Sequence, residues 1–165
     1  MARVNTTPSD VLESFVLQLR EQLALPESNC YEVLDPSYVD LPPGGGTFVT
    51  VSAGEGDFDG GMQVGGGTNQ VCESMHVVVT FYTQIHLDPT NASKETLRGH
   101  SQSLFALKRD VLKALCSVDL QDADEDTFLR ELIPVRSASR PEYDITQQLA
   151  YMSLTFVAEF DWDLT

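Results

Sequence analysis

Basic residues are scarce in this chain: ten Lys and Arg stand against 25 Asp and Glu, a formal net charge of −15. Affinity for nucleic acid comes largely from Lys and Arg on phosphates, so this balance excludes a conventional DNA reader. The same charge should keep the chain dissolved. Cysteine is scarce too. Cys30, Cys72 and Cys116 are widely spaced and odd in number, which argues against a disulfide framework and for free thiols in a reducing compartment. No apolar run approaches the roughly 20 residues that cross a bilayer. The opening MARVNTTPSDV lacks the apolar stretch of a secretory signal, so no membrane partner is expected.

Catalytic and ligand-binding signatures are missing as well. There is no GxSxG, HExxH or CxxC pattern, and the three His residues have no nucleophile beside them. Residues 53–70, AGEGDFDGGMQVGGGTNQ, hold most of the eleven glycines, which invites a phosphate-loop reading. It fails, because Gly67 stands where a P-loop needs its Lys, and Gly54 and Gly56 do not continue into a dinucleotide fingerprint. Glu55, Asp57 and Asp59 would repel an anion in any case. The stretch reads instead as a long, flexible hairpin loop. Asp122, Asp124 and Asp126 imitate the start of a calcium loop, but Thr127 and Ile133 replace the Gly and Glu that complete one. Cys72, His76 and His86 share a strand face, yet four residues along a strand span about 13 Å, too far for two ligands of one zinc ion. No cofactor, no metal and no enzymatic activity are expected.

What the chain does have is alternation. From Tyr151 to Leu164, Met152, Leu154, Phe156, Ala158, Phe160, Trp162 and Leu164 fall on one side of an extended chain. Tyr151, Ser153, Thr155, Val157, Glu159, Asp161 and Asp163 fall on the other. A period of two means a strand with one face in a core and one facing water or a partner. Residues 71–87 repeat the pattern, with Val77, Val79, Phe81, Ile85 and Leu87 opposite His76, Val78, Thr80, Tyr82, Gln84 and His86. Helix signals flank these strands. Thr7, Pro8 and Asp10 form a cap before a stripe of Leu12, Phe15, Val16, Leu19 and Leu23, and Pro26 ends it. A second helix is predicted from about Ser93 to Cys116, with Gly99 weakening its first half by about 1 kcal/mol. Short strands are expected at 29–34 and 47–52, a weak edge strand at 128–135, and a linker over SASRPEY. With 42% hydrophobic and 21% charged residues, the 165 positions suit a single globular domain.

This order of elements resembles the tail terminator (tail completion, or neck) proteins of tailed bacteriophages. The residues that carry the resemblance are VLESFVLQLREQLALP, CESMHVVVTFYTQIHLD and LAYMSLTFVAEFDW. They look like the family's first helix, its central strand leading to a helix, and its closing strand. The resemblance implies an α/β (α+β sandwich) fold, with a mainly antiparallel sheet of about four to five strands and two main helices on one face. It also implies a structural virion protein rather than an enzyme: a homo-oligomeric, hexameric ring, assembled in the host bacterial cytoplasm. Such a ring caps the tail tube, ends its growth, and joins the tail to a head-completion or connector protein. DNA would pass through without specific binding.

On that reading Tyr82, Gln84, His86, Tyr151 and Val157 are candidate assembly contacts on the second strand faces. Glu55, Asp57, Phe58, Asp59, Met62 and Val64 belong to a flexible assembly loop. Glu159, Asp161 and Asp163 would make an acidic collar beside the DNA path. Competing readings are a neighbouring head-closure protein, an acidic DNA mimic, or a small-ligand-binding domain. The DNA mimic would need evenly spread carboxylates, whereas here they cluster at 55–59, 119–126 and 159–163.

Overall fold

In the computed structural model, which describes residues 7–36, 39, 41–42, 46–58, 70–85, 95–99, 102–116, 135–144 and 146–163, helix α1 (Pro8–Leu23) begins where its cap chemistry dictates. The Thr7 hydroxyl accepts from the Asp10 N–H at 3.3 Å, and the Asp10 carboxylate accepts from the Thr7 N–H at 2.8 Å. Two of the free donors at the helix start are thereby satisfied. The far end closes on Ala24 in the left-handed region, and Leu25 N–H donates to Arg20 O at 3.0 Å. Val11, Phe15, Val16 and Leu19 are buried, and Leu12 and Leu23 pack at the margin.

Strand β1 (Cys30–Glu32) runs parallel to β2 (Phe48–Phe58), with Cys30 opposite Val49. β2 is antiparallel to β3 (Gln70–Gln84), and β3 is antiparallel to β6 (Leu149–Asp163). Two short strands, β4 (Val135–Ala138) and β5 (Glu142–Asp144), share the outer side of β6. The sheet order is β1-β2-β3-β6-β4, with β5 also on β6. All pairings except β1–β2 are antiparallel, and α1 and α2 (Leu104–Cys116) pack on one face. The expected α/β sandwich is therefore what is found, with six strands among the described residues rather than four or five.

The extra strands come from the stretch that reads as a linker. Ser137 and Ala138 finish β4, and Glu142 and Tyr143 start β5. Pro141, which has no N–H to give, sits in the gap between them. Ser139 holds that corner: its N–H donates to Ser153 O at 2.8 Å, and its hydroxyl accepts from Ser153 N–H at 2.9 Å. Two other expectations need correction. β2 runs to Phe58, so residues 53–58 are strand and not part of a loop; a bulge between Ala53 and Gly56 carries the ladder past the glycines. The second helix is broken, with a single π-helical turn at Glu95–Gly99 and regular α2 only from Leu104. Gly99 is where helix propensity is weakest. Of the weak edge strand expected at 128–135, residues 128–134 lie outside the described residues and Val135 opens β4.

The alternation of β6 is realised as predicted from Tyr151 to Phe160, and Leu164 lies outside the described residues. Met152, Leu154, Phe156, Ala158 and Phe160 are buried under the helices together with Met75, Val77, Val79 and Phe81 of β3. Phe156 meets Phe15 of α1 edge-on, ring centres 5.8 Å apart. Gln18 Nε2 donates to Ala114 O at 3.3 Å and ties α1 to α2. Cys30 is fully buried, and burial pushes its thiol up to about 12. Two outcomes follow from this packing. Phe156→Ala should cost about 3–5 kcal/mol in denaturant unfolding, against about 1 kcal/mol or less for Thr155→Ala on the opposite face. A thiol reagent at neutral pH should label exposed Cys116 first, half-buried Cys72 next, and Cys30 only when the protein is unfolded.

Candidate functional site

Strand geometry makes the side of the sheet away from the helices the natural place for function. On it alternate Phe48, Thr50 and Ser52 of β2, Ser74 to Tyr82 of β3, and Tyr151 to Glu159 of β6. One end of this face is closed by the chain itself. Phe48 and Tyr82 stack with ring centres 4.4 Å apart and planes 5° apart, and Tyr151 leans on Tyr82 at 5.6 Å. The Tyr82 hydroxyl donates to Pro36 O at 3.0 Å, and Val39 packs on the same cluster. Tyr82 is thus only 4% exposed, which corrects its assignment as an assembly contact: its ring and hydroxyl are spent inside the subunit. Tyr151 stays half-buried, with its hydroxyl donating to Glu142 Oε2 at 2.9 Å.

The rest of this face is neither dry nor fully wet. Val78, Thr155 and Val157 are half-buried between polar pairs. Thr80 Oγ1 and Ser153 Oγ share a hydrogen bond of 2.8 Å, and Ser74 Oγ donates to Glu159 Oε1 at 3.4 Å. Arg136 reaches from β4 to the His76 ring. Arg136 escaped sequence reasoning because it lies at the bulge of a strand that reads as loop. Gln84 and Glu159 are exposed. Asp161 and Asp163 belong to β6, opposite Cys72 and Gln70. Glu55, Asp57 and Phe58 are exposed on the end of β2. His86, Asp59, Met62 and Val64 lie outside the described residues.

Beyond Ala53, β2, β3 and β6 continue together as a three-stranded tongue. Its helix-side face ends in a polar device that the sequence does not advertise. Glu73 is 8% exposed, and its carboxylate accepts from the Trp162 indole N–H at 2.6 Å. A Cβ at Gly56 would overlap that carboxylate, so the Glu73 side chain would have to shift to admit one. Among the described residues no three His, Cys, Asp or Glu side chains are grouped to hold a metal ion. A groove of about 440 Å³ runs along α2, lined by Phe105, Lys108, Arg109, Leu112, Lys113 and Cys116. All six come from one helix, so it is an open surface and does not enclose a small molecule.

Burial pushes the Tyr82 phenol up to about 12 from the ordinary 10.0. A raised folded value means the stabilisation is complete below pH 10 and is lost as pH climbs towards 12. Tyr82→Phe should therefore lose less stability than the parent over that window. Below it, the variant should be about 1 kcal/mol weaker, because Pro36 O loses its donor. Urea melts of both proteins at a series of pH values check the two effects.

No family model and no curated protein sequence matches the chain. Among solved structures, a chain in the virion of a native gene transfer agent particle is similar at 17% identity, with a TM-score of 0.44. The match covers 90% of this chain and 97% of that one. A likeness at this level decides nothing about what this chain does.

Proposed function

We propose that this protein is a non-enzymatic structural subunit of a tailed-phage virion, forming a closed ring at the end of the tail tube. In that role it stops tube growth and joins the tail to a head-completion protein. The observation that carries the reading is the sheet itself: one face is dry under two helices, while the other keeps half-buried Val78, Thr155 and Val157 among polar pairs. A face of this mixed character suits contact with other subunits better than it suits chemistry, which needs converging groups in a recess. Cyclic symmetry lets a single head-to-tail contact, repeated, close on itself. The resemblance to tail terminators supplies the location, the virion neck, and the partners, tail tube protein and connector. It also supplies the hexameric count.

The net charge of −15 fits a channel through which DNA slides without sticking. Exposed Glu159, with Asp161 and Asp163 further along the same strand, would contribute to an acidic collar. Such a field acts only within about 8–10 Å in physiological salt, so it matters at close approach.

Light scattering at micromolar concentration followed by electron microscopy tests the ring; a hollow ring is expected, alone or on adding tail tube protein. A monodisperse monomer under both conditions defeats the reading. For the collar, Glu159→Lys with Asp161→Lys should leave the fold intact and make rings retain DNA at low salt. Rings with no gain in DNA binding return these carboxylates to a solvated face.

A further inference from the structure

Charge is sharply segregated along this chain. From Glu21 to Ser93 there are ten Asp and Glu and no Lys or Arg. From Lys94 to Lys113 there are five Lys and Arg against two acids. The first stretch supplies β1, β2 and β3, and the second supplies the π-helical turn and most of α2. In the fold β2 packs with α1, whereas α2 lies over β3 and β6.

Each stretch presents an exposed surface. On α2, Leu104, Leu107, Val111, Ala114 and Leu115 are buried. The outer side carries Lys108, Arg109 and Lys113 around Phe105, which is 45% exposed, and the open groove runs there. Arg109 pairs with Asp110, the one acid on this helix. On β2, every residue from Ala53 to Phe58 is exposed, Phe58 at 43%. β1 pairs only with Val49–Val51, so among the described residues nothing pairs with the β1 side of β2 at Glu55 and Asp57.

We propose that the basic, apolar ridge of α2 is the docking surface for the acidic end of β2 from a second copy of this chain. Glu55 and Asp57 of one copy meet Lys108 and Arg109 of the next, beside the open groove that Phe105 and Leu112 line. The two surfaces are complementary in charge, and the ridge carries exposed Phe105 among its bases. They are different patches on one molecule, so the contact is head-to-tail and propagates around a ring. The inference rests on the ring reading and names the contact that would build it.

A charge swap tests it on the full chain, with association followed by sedimentation velocity and folding by circular dichroism. Lys108→Glu with Arg109→Glu should weaken association by about tenfold or more, and so should Glu55→Lys with Asp57→Lys. A chain carrying all four substitutions should assemble again, as should a mixture of the two double variants. Wild-type association that neither double variant disturbs overturns this contact and leaves the ring reading standing. Two weakened variants whose four-fold combination stays dissociated while folded also overturn it. So does a ridge variant that melts earlier but associates normally, since its partner is then within its own chain. A wild-type protein that stays monomeric alone and with tail tube protein overturns both readings.

Discussion

The antiparallel ladder between β3 and β6 is the constraint on which the other elements depend. It runs from Gln70 opposite Asp163 to Gln84 opposite Leu149 without a break. A two-stranded ribbon of this length is not stable by itself in water; it needs further strands and a buried face. Both arise from the same alternation. Val77, Val79, Phe81, Met152, Leu154 and Phe156 put one face of the ribbon under α1 and α2. The edges then take β2 with β1 on one side, and β4 with β5 on the other. Register is held by the same fact, because a slip of one residue would turn Leu154 and Phe156 into water and Thr155 into the core.

Strand length and helix length then set where the sheet outruns its cover. The two long strands have 15 residues each, about 50 Å at the usual rise. α1 has 16 residues and α2 has 13, about 24 and 20 Å. Neither helix alone can shield the ribbon from end to end. One end is closed by the Phe48–Tyr82–Tyr151 stack and the Tyr82 bond to Pro36. At the other, the core gives way to Trp162 bonded to a nearly buried Glu73 carboxylate in space left by Gly56. A carboxylate there is tolerated because it is hydrogen-bonded and near the rim; deep under Phe156 it would be far costlier.

Which of these features could be read in the sequence follows from how local their causes are. The Thr7–Asp10 capping box and the alternation of β6 are written in consecutive residues, and both appear as expected. β4 and β5 depend on pairing with Leu149–Tyr151 and Leu154–Phe156; their own residues, RSASRPEY, carry loop chemistry, so the strands were illegible. Glycine misled in the same way over 53–58. Gly54 and Gly56 announce a loop, yet they serve a bulge and the approach of Glu73. Tyr82 was misplaced because alternation assigns a face and cannot say whether Pro36 and Val39 will fold back over it. Strand faces are local properties, whereas what covers a face is not.

The same distinction bears on how so acidic a chain could associate with copies of itself. A net charge of −15 makes two copies repel at long range, but salt confines that repulsion to about 8 Å under physiological conditions. At contact distance the local charges decide, and they are not mixed. The ten-acid stretch and the five-base stretch fall on different elements, so a subunit can oppose like charges in most orientations and opposite charges in few. Repulsion elsewhere then acts as a selection against the wrong dockings, which raises the specificity of the right one without adding to its strength. On the proposed contact, excess acid and a few clustered bases act as one device: a surface that opposes most orientations of its own kind, with a narrow exception along α2.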